Sequence, residues 1–296
     1  MSEFFHALQQ ADQDRARRRQ AAPDAPPALI EPSATVAPPP APPRGPRAPT
    51  DTIDPHLVTL LYPTSPETDQ YRVLCDVVER RRAAGRFAIV AVTSAGISEG
   101  KTTTAINLAG ALALDAHTRV LLIDADLRNP TVASRMAVHS DDGRGLTDAI
   151  LDPSLTLERV VRRLPRFNLS VIDSGSRCST PYEVLGMPRV GELLEEARCH
   201  YDSVIVDVPP AIPFPDCRVI SRWIDGFLLV VAAHRTLRKA FTEAVSRLDQ
   251  GRVAAVVFNA DDGVRASTYY ENAHASGREA HGWTRAVRRL ASVVLP

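Results

Sequence analysis

Four residues of this chain are placed to do chemistry on a phosphate: Lys101, Asp124, Asp126 and Asp207. Lys101 and Thr102 close the run Ala95-Gly96-Ile97-Ser98-Glu99-Gly100-Lys101-Thr102, a phosphate loop of the relaxed form in which alanine replaces the first glycine. In such a loop the backbone N–H groups from Gly96 through Ser98, Glu99 and Gly100, with the helix start at Thr102 and Thr103, cradle phosphate oxygens. Lys101 bridges the β and γ groups, the Thr102 hydroxyl ligates Mg²⁺, and Gly100 allows close backbone approach. About twenty residues on, the apolar run Val120 to Ile123 ends in Asp124, Asp126, Arg128 and Pro130. Two carboxylates and an arginine at the end of a buried strand need a partner, and the phosphate loop supplies one. Asp207 closes a third apolar run, Ser203 to Val206, and is followed by Val208-Pro209-Pro210, where the chain must turn away. That is the Walker B position. Its carboxylate can hold a Mg²⁺-bound water, and Asp124 and Asp126 can add oxygen ligands or a base. Each residue also has a plain structural alternative: Asp124 or Asp207 capping the next segment, and Arg128 pairing with Asp126.

The elements that must position these groups are legible as alternating patterns. Residues 88–93, 120–124, 169–173, 203–207, 227–232 and 253–258 are nearly continuous apolar runs, as expected of strands covered on both faces. Helical patterns lie between or before them at 68–84, 102–116, 145–151, 181–198, 216–223 and 237–249. This βα alternation predicts an α/β protein with a doubly wound, mostly parallel sheet, in which ligands bind at the carboxyl ends of the strands. Lys101 and the aspartates all fall there.

Composition sets the boundaries. Fourteen of the 24 prolines fall between Pro23 and Pro66, in a segment too poor in apolar surface to offset its ordering entropy. Residues 21–66 are therefore expected to be a linker, residues 67–262 a phosphate-loop domain, and residues 263–296 a C-terminal tail. Residues 1–20 read as a short amphipathic helix, with Phe4, Phe5, Leu8 and Ala11 on one face and Arg15, Arg17, Arg18 and Arg19 at its end. In the tail, Trp283, Val287, Leu290, Ala291 and Val294 recur at helical spacing beside Arg285, Arg288 and Arg289, predicting a basic amphipathic helix. With 35 basic and 35 acidic residues, nothing in the overall charge calls for nucleic acid. Four cysteines without metal or disulfide spacing, and no run of about 18 apolar residues, fit a cytoplasmic protein.

The phosphate loop, the DxDxRxP element at Asp124, Asp126, Arg128 and Pro130, and the DxPP element at Asp207, Pro209 and Pro210 together resemble the bacterial tyrosine kinases of the CpsD/CapB type, which serve capsule and exopolysaccharide export. The likeness covers roughly residues 53–262. It implies a deviant-Walker fold of the MinD/ParA kind, ATP and Mg²⁺ as cofactors, Lys101 on the phosphates, and Arg128 and Asn259 at the nucleotide, the latter near adenine. Thr102, Asp126 and Asp207 would serve the metal, and Asp124 or Asp126 would accept a tyrosine proton. The acceptors would be Tyr269 and Tyr270, phosphorylated between neighbouring subunits. A separate membrane polypeptide, the polysaccharide co-polymerase or chain-length regulator, is the implied partner, holding the kinase at the inner face of the plasma membrane. The family's Glu-x-x-Arg-x-x-Arg self-association element stands here as Asp69-x-x-Arg72-x-x-Cys75, one guanidinium short.

Two other classes compete. Partitioning and septum-positioning ATPases share the sheet, but typically carry a second lysine where this loop has Gly96, and lack the DxDxRxP run. A catalytically weak scaffold, switching a co-polymerase by nucleotide binding alone, would keep the same site.

Overall fold

The computed structural model describes residues 52–85, 87–138, 143–248, 250–260 and 292–294. The helix expected over 1–20, the linker up to residue 51, and Tyr269 and Tyr270 lie outside the described residues. Eight strands form one sheet: β1 (Ile89–Ser94), β2 (Val120–Asp124), β3 (Arg162–Leu164), β4 (Leu169–Ile172), β5 (Ser203–Asp207), β6 (Gly226–Ala232), β7 (Val253–Asn259) and β8 (Ser292–Val294). Their order is β3-β4-β2-β5-β1-β6-β7-β8. The six central strands are mutually parallel, and β3 and β8 close the two edges in antiparallel sense. Along β2, Leu121 and Ile123 face one apolar core while Val120 and Leu122 face the other, which is why the strands read as unbroken hydrophobic runs.

Helices cover both faces. The Lys101–Leu112 helix follows β1 and is buried over most of its length. Against it packs Pro66–Ala84, capped by Ser65, whose side chain accepts from the Thr68 N–H. The segment expected as a single helix over 181–198 is two, Pro181–Leu185 and Pro188–His200, because Pro188 ends one and opens the next.

Two boundaries differ from expectation. The linker does not extend to residue 66: Val58–Leu61 is a helical turn, and Leu57, Val58 and Leu60 are buried on the Lys101–Leu112 helix. Asn107 pins it, its side-chain oxygen accepting from the Thr59 N–H and hydroxyl at 3.1 Å each. Gly110 lets it sit close, since a Cβ there would lie 2.4 Å from Thr59 Oγ1. Val294, expected in the C-terminal helix, instead lies in β8, whose backbone pairs Val256 with Val294 and Phe258 with Ser292. The open edge of β7 offers a whole row of backbone partners, which outweighs weak helical periodicity.

The cysteines are all free: Cys75 and Cys217 buried, Cys178 half-buried, Cys199 exposed. No described helix is long and apolar enough to cross a membrane.

Candidate active site

Parallel pairing puts two acidic strand ends side by side. In register, Asp207 of β5 lies opposite Asp124 of β2 on one side and Val92 of β1 on the other, so the phosphate loop leaving β1 passes directly over it. Gly100, in the left-handed region at φ 96°, turns the loop into the Lys101–Leu112 helix. The glycine is required twice over, because a Cβ would also fall 1.9 Å from Asn259 Nδ2.

Lys101 Nζ lies 2.7 Å from Asp126 Oδ2 and 3.3 Å from Asp207 Oδ1, and Thr102 Oγ1 donates to Asp207 Oδ2 at 2.6 Å. Both carboxylates are buried. Burial alone would lower the Lys101 pKa, but Asp207 and Asp126 more than offset it and hold the ammonium above its usual value. Asp207 is pushed up by its own burial, against the opposing pull of Lys101 and Thr102. The structure brings these four groups, each named from the sequence, into one cluster.

Asp124 is engaged by the main chain. Its Oδ1 accepts from the Asp126 N–H at 3.2 Å, and its Oδ2 from the Thr131 and Val132 N–H groups at 3.0 Å each. Both oxygens are thus spent on the main chain, holding the turn and the start of the Val132–Met136 helix, the capping alternative noted above. Burial, and after it Asp207, push its pKa up to about 8. Asp126, with Oδ1 accepting from the Asn129 N–H and Oδ2 on Lys101, is the carboxylate turned toward the phosphate loop.

Arg128, expected at the nucleotide, is paired with Asp216 rather than with Asp126. Its Nε and Nη2 donate to the two oxygens of Asp216 at 2.8 and 3.2 Å, and its guanidinium lies 4.5 Å from the centre of the Phe214 ring. Thr103 Oγ1 accepts from Arg135 at 2.9 Å, and Arg135 also pairs with Asp54 at 3.1 Å.

The loop itself is braced from the β6 and β7 ends. Glu99 accepts from the Gly96 N–H with one oxygen (3.0 Å) and from the Thr236 hydroxyl with the other (2.7 Å). Asn259 Nδ2 donates to the Glu99 carbonyl at 2.9 Å, and Arg235 to the Ser98 carbonyl at 3.3 Å. Arg135, Asp216, Arg235 and Thr236 were not found by sequence reasoning. No local spacing marks them; Asp216 at the start of its helix was the nearest to a signal.

The donor set fits Mg-ATP. Glycine-mediated main chain, a helix N-terminus and an ammonium suit a polyphosphate. Among the described residues no group of three His, Cys, Asp or Glu is arranged to hold a metal. Mg²⁺ bound to a nucleotide needs only one or two protein carboxylates, the remaining positions going to phosphate and water, and the Thr102–Asp207 pair offers such oxygens.

The chain matches a family model described as an AAA domain over residues 88–216. It is 34% identical over 193 residues to the tyrosine-protein kinase YwqD of Bacillus subtilis, covering 65% of this chain and 80% of that one. To the tyrosine-protein kinase CpsD of Streptococcus pneumoniae it is 30% identical over 193 residues, covering 64% and 83%. Of some longer tyrosine kinases that it also matches, the chain spans only 25%. Among solved structures, the kinase domain of the Escherichia coli tyrosine kinase ETK superposes with a TM-score of 0.61 at 29% identity, covering 69% of this chain and 78% of that one.

Proposed function

This chain belongs to the bacterial tyrosine kinases, and from that premise we propose that it transfers the γ-phosphoryl group of ATP to tyrosine hydroxyls, its own Tyr269 and Tyr270 among them, in the control of capsular or exopolysaccharide synthesis and export. The observation that carries the reading is the Lys101 ammonium spanning Asp126 and Asp207 while Thr102 bonds Asp207.

The chemistry follows from those residues. The phosphate loop from Gly96 to Thr103 holds the triphosphate, Asn259 flanks the adenine side, and Lys101 exchanges its carboxylates for β and γ oxygens. The tyrosine oxygen forms a bond to the γ-phosphorus as the bond to the β,γ-bridging oxygen breaks, and ADP leaves. Asp126 accepts the tyrosine proton, Asp124 being committed to the main chain. Thr102, Asp207 and Asp126 are the groups that would hold Mg²⁺, which supplies charge neutralisation on the phosphate oxygens. The partner that fits a kinase of this type is a membrane co-polymerase or chain-length regulator, a separate polypeptide placing the kinase at the inner face of the plasma membrane. Self-association would use the exposed Asp69 and Arg72, paired at 3.6 Å on the Pro66–Ala84 helix. At the third position of that element the buried Cys75 stands, its thiol pushed up to about 12 by burial.

The test is phosphotyrosine detection with mass-spectrometric site mapping on the full chain with Mg-ATP, alone and with the cytosolic segment of a candidate partner. Phosphate on Tyr269 or Tyr270 that vanishes in Lys101→Ala is the expected result. ATP binding without phosphotyrosine under both conditions would overturn the kinase reading.

A further inference from the structure

The turn carrying Asp126 and the segment following Asp207 are joined by a second contact, away from the phosphate loop. Asp216 is fully buried at the start of the Asp216–Ile220 helix, and among the described residues the cation hydrogen-bonded to it is Arg128, whose side chain is 28% exposed. The pairing is two-point, through Nε and Nη2, so it fixes orientation as well as distance. Phe214 covers one face of the guanidinium and completes the holder.

We infer that Arg128 is a positioning residue: through Asp216 it clamps the Asp124–Arg128 turn to the Asp207–Asp216 segment, keeping Asp126 and Asp207 in place when Lys101 leaves them for phosphate. The inference rests on the kinase reading of this site and deepens it. Besides the main-chain bond from the Ala125 N–H to the Asp207 carbonyl (2.8 Å), two side-chain links hold the Asp126 turn to its neighbours, the Lys101–Asp126 ion pair and the Arg128–Asp216 ion pair. Productive binding loosens the first, because the phosphate oxygens compete for the three N–H donors that the ammonium now spends on Asp126, Asp207 and Thr102. At that moment Asp126 and Asp207, like charges in a buried site, repel, and the turn beyond Ala125, where the main-chain pairing to β5 ends, would shift outward. The second link lies outside the exchange and persists. The guanidinium's Nε and Nη2 donors are taken by Asp216, so what Arg128 holds directly is the carboxylate geometry.

The test uses the full chain and three variants: Arg128→Lys, which keeps the charge but loses the two-point contact, Asp216→Asn, and the paired Arg128→Met/Asp216→Leu. The paired variant removes both charges together, which leaves no uncompensated buried ion. Binding of a fluorescent ATP analogue is measured with and without Mg²⁺, beside thermal unfolding and the rate of phosphotyrosine formation. The expected result is metal-free affinity within about twofold of wild type, with the Mg²⁺-dependent gain in affinity and the phosphorylation rate both reduced by about tenfold or more, as for other residues that orient metal-binding groups. The paired variant recovers thermal stability without recovering either. A paired variant with wild-type Mg²⁺ response would reduce the clamp to a stability element and overturn the inference. So would a tenfold loss of metal-free affinity, which would make Arg128 a nucleotide ligand. If the paired variant fails to fold, Arg128→Lys decides by the same two criteria. A wild-type protein that binds Mg-ATP but forms no phosphotyrosine would retire the kinase reading, while the Mg²⁺ response would still judge the clamp.

Discussion

Lys101 brings one positive charge into contact with two buried carboxylates, with a third, Asp124, just behind, and this imbalance governs how the site responds to substitution and pH. Thr102→Val removes the 2.6 Å bond to Asp207 and leaves a buried carboxylate short of a donor, costing about 1–3 kcal/mol in stability along with Mg-nucleotide affinity. Urea unfolding and nucleotide titration read the two effects separately. Asp124 gives a signed pH effect. Its folded pKa of about 8 lies above the ordinary carboxylate value near 4, so across that window the native state keeps a proton that the unfolded chain has released. Stability of the nucleotide-free protein therefore falls as pH rises through the window. The expected outcome is a shallower decline in Asp124→Asn, followed by urea midpoints at pH 5, 6, 7 and 8; parallel curves would contradict it. At this scale the sequence was informative wherever the main chain does the binding. Gly100, Lys101 and Thr102 are fixed by loop geometry, and Asp207 by a strand end and two prolines. Thr236 and Asp216 were not legible, because each meets its partner across a gap in sequence (Thr236 to Glu99 over 137 residues, Asp216 to Arg128 over 88) that leaves no periodic trace. The role of Asp124 was open for a related reason. A carboxylate at a strand end looks the same whether it faces a ligand or the next helix.

At the scale of elements, continuous apolar runs predicted the six central strands to within a residue at each end, since burial on both faces leaves no room for polar alternation. β3 and β8 escaped notice because three residues at a sheet edge carry too short a pattern to see. The Val58–Leu61 turn was hidden by the prolines around it, although Leu57, Val58 and Leu60 supply its apolar contact. Its docking depends on the missing side chain at Gly110. Gly110→Val should drive Thr59 and Leu60 off the Lys101–Leu112 helix at about 1–3 kcal/mol, and Leu60→Ala in the same chain should return part of it. Denaturant midpoints of the two variants check both statements. β8 shields the last parallel strand. Removing residues 292–296 uncovers the β7 edge, and the expected result is concentration-dependent self-association seen by light scattering, absent from the intact chain.

For the molecule as a whole, sheet and site form one unit in which residues 52–66 belong to the core, so the chain that can act as a linker is shorter than composition suggested. If acceptor tyrosines are phosphorylated between subunits, mixing Lys101→Ala protein with a Tyr269→Phe/Tyr270→Phe variant should place phosphate on the lysine-less subunit, at a rate that rises with total concentration. Phosphate confined to self-modified wild type would argue for reaction within one chain. The pairing of β8 bears on this choice. Phe258 sits opposite Ser292 and Val256 opposite Val294, so the chain leaves the sheet at Asn259 and comes back at Ser292 on the same side, the side that holds the nucleotide site. In sequence Tyr269 and Tyr270 stand ten and eleven residues after Asn259, a separation that spans roughly 30 Å at full extension. That contour length, counted from the end of β7, would bound which neighbouring sites they can visit.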